Sequence, residues 1–400
     1  MIDYADALSI VCDEAKNFQT SVENVPIEQS INRILAEDIS SDSNLPPFDN
    51  SAMDGYAFRY SDTRSWRLIG EVSAGNYKDF SLSPEETVLI TTGSKLPDSA
   101  DSVVPLEDIE IADGYIHLNE SAKIKRGMNV RSCGSDLKKN EIVVHKFSRI
   151  TPQVVAALAT CGKAQVSVLR KLNISILTTG DELIPITEIP SGDKLRVSNL
   201  YAVHAACAEL HQSAQLLGLV RDDKQKIKEL IRNALEKDCD ILITTGGVSV
   251  GKYDFMNEVF TELNIEIRFW KVNIKPGKPI VFGVYMRGDK KTFVFGLPGN
   301  PVSSLVNFQI FIKPAIETIL HQKVGNRVPA VLLNDLNKND NKRHFLRGEL
   351  VYQNRMWNVS TYSSQSSGNL AELSRANCLI ELPENTTGLK QGDIVECITI

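Results

Sequence analysis

Ile174-Ser-Ile-Leu-Thr-Thr-Gly-Asp-Glu182 is a short apolar run followed by a polar turn, the pattern of a buried strand that ends at a loop. Further strands are predicted over 214–220 and 240–244, with helices over 199–211 and after Asp222, which can cap the second helix. In that helix, apolar residues recur at offsets 0, 3, 4, 7 and 8: Ile227, Leu230, Ile231, Ala234 and Leu235. Repeated β-α-β units predict a doubly wound, mainly parallel α/β sheet over 172–321.

The segments on either side of this core have different patterns. Residues 1–56 and 140–171 are predicted as a helical N-terminal part, interrupted after 40–47 by a polar and proline-rich boundary. Short β-branched runs punctuated by glycine and proline predict an inserted β module over 57–139. Similar short runs without helical periodicity predict a C-terminal β-barrel over 322–400. The expected fold class is therefore multidomain, α/β plus β.

Composition excludes several classes of protein. The 400 residues are 42% hydrophobic and 24% charged, which is globular and not disordered. A net charge of -6 argues against a general nucleic-acid-binding protein, which needs a basic excess. No apolar run approaches membrane-spanning length, and the first residues lack a signal-peptide pattern, so we expect no membrane association and a cytoplasmic location. Scattered cysteines and histidines give no zinc pattern.

Two strands of the predicted core end in the same tripeptide, Thr178-Thr179-Gly180 and Thr244-Thr245-Gly246. Ligands of open parallel sheets bind beyond the carboxyl ends of the strands, where such turns offer amides and hydroxyls to an anion. We therefore expect both turns to face one crevice that holds a phosphate or nucleotide group. The sequence contains neither a P-loop nor a G-x-G-x-x-G fingerprint, which disfavours ATPases and dehydrogenases.

A cationic loop and a rigid turn complete the motifs of the core. Lys271, Lys275 and Lys278 fall within eight positions around a Pro-Gly turn, and their point charges suit a doubly charged anion. Gly296-Leu-Pro-Gly-Asn-Pro-Val-Ser303 precedes a predicted apolar helix over 302–320. Pro301 is expected at the first helical position, with the free N–H groups of the helix start facing the crevice.

Five ordered motifs together carry a family resemblance. They are Pro46-Pro-Phe-Asp-Asn-Ser-Ala-Met-Asp-Gly-Tyr-Ala57, Thr179-Gly-Asp-Glu-Leu183, Thr244-Thr-Gly-Gly-Val-Ser-Val-Gly251 with Asp254, Lys275-Pro-Gly-Lys-Pro279, and Leu297-Pro-Gly-Asn-Pro-Val-Ser303. In this order they closely resemble the MoeA family, the bacterial molybdopterin molybdenumtransferases related to the C-terminal part of gephyrin. The resemblance implies that the α/β core is of the molybdopterin-binding type and that the protein is a homodimer.

The resemblance also implies a reaction in molybdenum cofactor biosynthesis. Family members insert molybdenum from molybdate into adenylyl-molybdopterin with release of AMP, in the presence of Mg²⁺. It implies partners as well, namely a molybdopterin adenylyltransferase and other cofactor-biosynthesis proteins. The alternative is a non-catalytic molybdopterin-binding or gephyrin-like scaffold protein, which would have no need for dispersed acids beside a lysine loop.

Carried over to this sequence, the resemblance assigns three sets of residues. The implied catalytic residues are Asp54, Glu182, Asp222, Asp254, Lys271 and Lys275. The implied metal ligands are Glu182, Asp222 and Asp254. The implied cofactor-binding residues are Thr92, Arg131, Asp136, Thr179, Gly180, Thr245, Gly246, Gly247, Ser249, Lys278, Pro298, Gly299, Asn300, Pro301, Arg347 and Ser367. Arg347 and Ser367 resemble the family's anion-contacting pair, and Cys133 interrupts the motif that holds Arg131 and Asp136.

Overall fold

The computed structural model describes residues 1–247, 255–362, 364–366 and 368–400. Three predicted site residues, Ser249, Asp254 and Ser367, lie outside these described residues. The chain divides into two compact units, one formed by Met1–Glu23 with Leu169–Ile400 and the other by Asn24–Val168. In the described part of the chain, no helix has both the length and the apolar character needed to cross a membrane.

Eight α-helices lie in the described part of the chain. In chain order they are α1 Tyr4–Lys16, α2 Pro152–Thr160, α3 Asn199–Glu209, α4 Lys224–Glu236, α5 Phe255–Glu262, α6 Pro301–Asn307, α7 Lys313–Ile319 and α8 Leu370–Leu373. Short 3-10 turns cover Ile27–Gln29 and Leu106–Asp108. In the predicted helical N-terminal part, α1 and α2 are accompanied by short strands.

The central sheet of the first unit has six strands. In spatial order they are Ala214–Val220, Ile174–Thr179, Ile241–Thr245, Lys290–Leu297, Val281–Arg287 and Glu266–Trp270. The first four run parallel, and Val281–Arg287 is antiparallel to both of its neighbours. This arrangement confirms the predicted mainly parallel α/β core, because only one strand runs against the others.

Helices α4 and α5 cover one face of this sheet. Ile227 and Ile231 of α4 pack with Val259 and Phe260 of α5 over Leu242 of the central strand. The predicted apolar stripe of α4 therefore lies against the sheet, as its spacing requires. The cap differs from the prediction, because Asp223, and not Asp222, accepts hydrogen bonds from Gln225 N and Lys226 N. An N-cap side chain must reach amides two and three positions ahead, which places the cap one residue later than predicted.

The predicted helix over 302–320 is not continuous. It is divided into α6, a π-helical turn over Phe308–Ile312, and α7. Pro314 lacks an amide hydrogen and crowds the carbonyl four residues earlier, so a wider turn precedes it. Pro301 occupies the first helical position, as predicted.

The C-terminal segment forms a closed barrel of five strands. They are Arg343–Gln353, Met356–Thr361, Arg327–Leu332, Ile394–Thr399 and Cys378–Leu382, and the last pairs with the first to close the ring. The strand Ile274–Lys275, from the predicted lysine loop, adds to this barrel beside Arg343 and His344. The predicted C-terminal β-barrel is therefore confirmed, and it is joined to the lysine loop by backbone pairing.

The second unit contains a six-stranded sheet. In spatial order its strands are Ser102–Pro105, Gly55–Phe58, Glu86–Ile90, Ser65–Val72, Tyr115–Leu118 and Ile109–Ala112. Five of its strands lie within the predicted range 57–139, whereas Gly55–Phe58 begins two residues earlier. Buried Phe58 and Trp66 pack in this sheet with their ring centroids 4.7 Å apart. Paired short strands complete the chain: Val22–Pro26 with Gln165–Leu169, Ile39–Ser40 with Ile142–Val144, Asn50–Ser51 with Val130–Arg131, Leu183–Ile184 with Leu195–Arg196, and Leu336–Asn337 with Gly388–Leu389.

Candidate functional site

The two Thr-Thr-Gly turns lie side by side at the carboxyl edge of the central sheet. Thr178 is paired with Thr245 across neighbouring parallel strands, and their hydroxyl oxygens are 2.9 Å apart. The expectation that both turns share one edge is thereby confirmed. Thr179 is buried, and its Oγ1 has no hydrogen-bond partner among the described residues. A buried hydroxyl of this kind is available to a ligand that fills the edge.

Glycine is required in the second turn. Gly246 has a φ of +93°, and a Cβ there would lie 2.3 Å from the carbonyl oxygen of Thr179. Any other residue would be strained and would collide with the neighbouring strand. Its amide donates to the carbonyl of Leu297 at 3.0 Å, which joins this turn to the next strand. The edge is therefore a rigid backbone surface formed by three strand ends.

The turn from Pro298 to Pro301 closes the same edge. The carbonyl of Gly299 accepts a hydrogen bond of 2.8 Å from Asn199 Nδ2, and Pro298 O accepts one from Ser304 Oγ. The prediction that the first amides of α6 are free is wrong. Asn300 Oδ1 accepts from Val302 N at 3.2 Å and Ser303 N at 3.5 Å, because asparagine is a favoured N-cap.

Acidic residues cluster beyond the first two strands. Asp181 Oδ1 accepts a hydrogen bond of 3.2 Å from the amide of Asp222. Burial, and then the negative charges of Asp181 and Glu182, raise the pKa of Asp222. Glu182 is exposed, and its carboxylate lies close to Gly180, where a Cβ would be 2.6 Å from Glu182 Oε2. These carboxylates therefore repel one another and would be stabilised by a nearby cation.

Two of the three predicted metal ligands, Glu182 and Asp222, lie in the described part of the chain. Among the described residues no group of three or more His, Cys, Asp or Glu side chains is arranged to hold a metal ion. Mg²⁺ commonly takes only one or two protein carboxylates and completes its shell with water and substrate phosphates. Glu182 and Asp222 are hard oxygen donors on neighbouring strand ends, so they fit this sparse type of magnesium site.

The three predicted lysines have different surroundings. The Nζ of Lys271 lies 4.4 Å from the ring centroid of Trp270, a cation–π contact. Lys275 and Lys278 are exposed on the loop, and the carbonyl of Lys278 accepts a hydrogen bond of 3.1 Å from Val272 N. Asp340 and His344 form a pair near Lys275. Burial has the largest effect on both groups, acting to raise the pKa of Asp340 and to lower that of His344. The charge of Lys275 acts to lower the pKa of each, and both are lowered overall.

A small cavity joins the lysine loop to the barrel. It is lined by Lys275, Pro276, Val302, Phe345, Leu346, Arg347 and Gln365. Arg347 is only 1% exposed, and burial lowers its pKa. Its guanidinium donates to the carbonyls of Ser364, Ser366 and Asn369, whereas its Nε has no hydrogen-bond partner in the described part of the chain.

Arg347 is paired with one carboxylate, that of Glu372. Glu372 Oε2 is 3.7 Å from Arg347 Nη2, and it too has no hydrogen-bond partner among the described residues. Burial of a cation is costly, and the carboxylate of Glu372 together with the three carbonyl groups offsets part of that cost. The cavity therefore combines a buried guanidinium with the exposed ammonium of Lys275, which suits a compact dianion.

The predicted residues of the second unit form two contacts of their own. Asp54 Oδ1 accepts hydrogen bonds from Thr92 N at 2.7 Å and Thr92 Oγ1 at 3.0 Å, which lower the pKa of Asp54. Arg131 forms an ion pair with Asp136. All four side chains are exposed, three on loops and that of Arg131 at the end of the short strand Val130–Arg131.

Cys133 has a local structural role. Its amide donates to Asp49 Oδ1 at 2.7 Å, and Asn44 Nδ2 lies 3.3 Å from its sulfur. The motif that carries Arg131 and Asp136 is therefore tied to the loop that precedes Asp54.

Comparison with known proteins identifies the family of this chain. The profile of the MoeA N-terminal region (domain I and II) matches residues 2–162, that of a probable molybdopterin binding domain matches 175–318, and that of the MoeA C-terminal region (domain IV) matches 329–400. A molybdopterin molybdenumtransferase of Bacillus subtilis is 33% identical over 99% of this chain and 93% of its own length. The chain belongs to the MoeA family.

Other MoeA-family relatives agree over the full length. A molybdopterin molybdenumtransferase of Haemophilus influenzae is 34% identical and covers 94% of both chains. The crystal structure of a molybdopterin biosynthesis MoeA protein from Pyrococcus horikoshii superposes with a TM-score of 0.83 at 30% identity, covering 100% of this chain and 99% of the other. The similarity therefore includes both units and the barrel.

Several site residues of this MoeA-family chain were not predicted from its sequence. Asn199 supports the Gly299 turn, Asp181 joins the acidic cluster, and Gln365 lines the cavity while exchanging hydrogen bonds with the backbone of Arg347. Asp181 directly precedes a predicted residue, and this adjacency was the available signal. Asn199 resembles an ordinary polar helix start, so its sequence context gave no indication.

Proposed function

We propose that this chain inserts molybdenum from molybdate into adenylyl-molybdopterin and releases AMP. Membership of the MoeA family and relatives named molybdopterin molybdenumtransferase identify a transferase of molybdenum cofactor biosynthesis. The observation that carries the specific proposal is the cavity between Lys275 and Arg347, where a buried guanidinium, paired with Glu372 at 3.7 Å, keeps an Nε without a hydrogen-bond partner among the described residues. The comparisons give the scaffold alternative no support.

Molybdate is assigned to this region on the ground of charge and not of size, because the cavity volume of about 20 Å³ holds little more than one water molecule. It is a compact dianion, and it would accept hydrogen bonds from Lys275 Nζ and from Arg347 Nε. Gln365 holds the backbone of Arg347 through two hydrogen bonds of 3.0 Å and thereby fixes the wall of the cavity. Ser367, predicted as the other anion contact, remains a proposal.

The adenylylated pterin is assigned to the carboxyl edge of the sheet. Thr179, Gly180, Thr245, Gly246 and Gly247 provide the unobstructed backbone that a phosphate linkage requires, and Pro298 to Pro301 bound the same edge. Because the cavity includes Val302 of α6, which follows this turn directly, the two substrates would bind close together within the first unit. Such proximity favours transfer between bound groups.

Glu182 and Asp222 are the described residues that would hold Mg²⁺, with Asp254 as the third predicted ligand. When bound, the cation would neutralise charge on the phosphate oxygens as AMP departs. Lys271, held against Trp270, would supply further positive charge at the same sheet edge. Asp54, Thr92, Arg131 and Asp136 of the second unit, and Lys278 of the lysine loop, remain proposed substrate-binding residues.

The proposal extends to assembly and location. We expect a homodimer in the cytoplasm that receives adenylyl-molybdopterin from a molybdopterin adenylyltransferase. Sedimentation of the purified protein measures directly whether it is a dimer. A monomer at micromolar concentration would contradict it.

Reconstitution tests the reaction. Purified protein is incubated with adenylyl-molybdopterin, Mg²⁺ and molybdate, and AMP is measured together with active cofactor. We expect both products in equal amounts and only with all components present. Cofactor formation without AMP, or pterin binding without either product, would contradict the proposal, and the second result would favour the non-catalytic alternative.

A further inference from the structure

We infer that Asn307 is a positioning residue that sets the lysine loop against α6 and thereby governs the use of molybdate. Asn307 is the last residue of α6 and is 0% exposed. It lies in a run of apolar residues, where a polar side chain is costly unless it is bonded. The inference rests on the proposed role of Lys275.

The first observation is a hydrogen bond from the helix to the loop. Asn307 Nδ2 donates to the carbonyl oxygen of Gly277 at 3.0 Å. Gly277 lies between Lys275 and Lys278, so this bond fixes the centre of the loop that carries both lysines. The start of α6 bounds the pterin edge, and its end holds the molybdate loop.

The second observation is the fit between the amide and the glycine. Gly277 has a φ of +92°, and a Cβ there would lie 2.5 Å from Asn307 Oδ1. The absent side chain is therefore the space into which the amide fits. A contact this close between two segments 30 positions apart restricts the loop to one arrangement.

The third observation is an unmet acceptor. Asn307 Oδ1 is buried and has no hydrogen-bond partner among the described residues. Leaving a buried acceptor unpaired reduces stability, so packing alone does not explain an asparagine at this position. The π-helical turn that begins at Phe308 follows directly, and such turns are frequent at functional sites.

A double-mutant cycle with Lys275 tests the inference. Asn307→Leu keeps the shape of the side chain but removes the donor to Gly277. We expect the KM for molybdate to rise about tenfold, with kcat and the KM for adenylyl-molybdopterin changed less than twofold. In Asn307→Leu/Lys275→Ala, the KM should equal that of Lys275→Ala alone, because the asparagine acts through the lysine.

Thr292→Val is the matched control. Like the Asn307 variant, it removes one buried hydrogen bond from a side chain to a backbone carbonyl. In this case the Thr292 hydroxyl donates to the carbonyl of Cys239 at 2.7 Å, at the opposite end of the sheet. Its stability should fall by a similar amount with the KM for molybdate unchanged. Asn307→Ser provides a second, milder variant if the leucine variant does not fold. Hydrogen exchange of the amides of Lys271 and Val272 reports the loop directly and should accelerate in the Asn307 variants but not in the control.

The outcomes separate the two proposals. Two results would overturn the positioning role. One is a double mutant whose rise in KM is the product of the rises in the two single mutants, and the other is an unchanged molybdate KM in both Asn307 variants. A Lys275→Ala protein with normal molybdate KM would instead overturn the assignment of Lys275, whether or not Asn307 restrains the loop.

Discussion

The hydroxyl groups of Thr178 and Thr245 form a buried hydrogen bond of 2.9 Å between neighbouring parallel strands. It joins the two Thr-Thr-Gly turns at the edge assigned to the pterin. Each of the variants Thr178→Val and Thr245→Val should lose about 1–3 kcal/mol of unfolding free energy, because one hydroxyl remains buried and unpaired. The double variant should lose less than the sum, since no hydroxyl of the pair remains.

Urea unfolding of the four proteins measures this coupling. Thr178→Val combined with Thr292→Val serves as the control, and its effects should add because the residues lie at opposite ends of the sheet. Additive losses in the Thr178/Thr245 pair would show that the bond does not couple the turns.

A second prediction concerns the ion pair between Arg170 and Asp240. It lies at the edge of the sheet where the parallel strands begin. Two guanidinium nitrogens donate to the carboxylate at 2.6 and 2.8 Å, and the Asp240 side chain is 1% exposed. Arg170→Met should lower stability by about 3–5 kcal/mol by leaving a buried charge unpaired. In the exposed pair Lys16–Asp13, Lys16→Met should leave the stability almost unchanged. Thermal unfolding measures both variants, and an equal loss of stability in the two would contradict the claim that the buried pair stabilises the fold.

The third prediction concerns pH and Asp222. Burial and the neighbouring Asp181 and Glu182 raise its pKa, so ionising it destabilises the folded chain. This cost is absent below the ordinary aspartate pKa of about 3.9, increases as pH rises through the folded value, and is complete at neutral pH. Asp222→Asn should therefore raise the melting temperature at pH 7, and the gain should shrink towards pH 4.

Mg²⁺ provides a further comparison for Asp222. The cation should raise the melting temperature of the wild-type protein more than that of Asp222→Asn, because it relieves the same repulsion. If Asp222→Asn raised the melting temperature equally at all pH values, or if Mg²⁺ raised it equally in both proteins, the result would argue against a carboxylate cluster at this edge.

The fourth prediction concerns catalysis by Glu182. If it helps to hold the cation beside the phosphate linkage, Glu182→Gln should fold normally but release AMP about a hundredfold more slowly. Single-turnover AMP release, with melting temperature as the check on folding, measures this. If the wild-type protein released AMP at its full rate in excess chelator, the proposed role of the cation would be wrong.

The strand pattern of the core was predictable because local periodicity and turn residues specify it. The strand Ile174–Thr179 and the start of α6 at Pro301 are confirmed for this reason. The break at Phe308–Ile312 was missed, because the apolar pattern continues through it and only Pro314 indicated a change. The cap at Asp223 was misplaced by one residue, since adjacent aspartates are equivalent in sequence and differ only in backbone geometry.

The contacts that build the site could not be predicted in the same way. Asn307 and Gly277 are 30 positions apart, and no local pattern links them. The same holds at the opposite end of the sheet for Arg170 and Asp240, which are 70 positions apart. The burial of Arg347 is also a tertiary property, because a charged residue between Leu346 and Gly348 has no local pattern that places it in the interior. Family resemblance named Arg347 as a site residue but gave no indication of its surroundings.

Equilibrium binding of molybdate to Lys275→Ala tests the central claim most directly. Calorimetric titration of molybdate into the wild-type protein and this variant gives both dissociation constants, and a parallel titration with adenylyl-molybdopterin gives the pterin affinity. We predict molybdate affinity to fall by about tenfold or more while pterin affinity stays within about twofold, with turnover partly restored at high molybdate. Unchanged molybdate affinity, or equal loss for both substrates without rescue, would contradict the account.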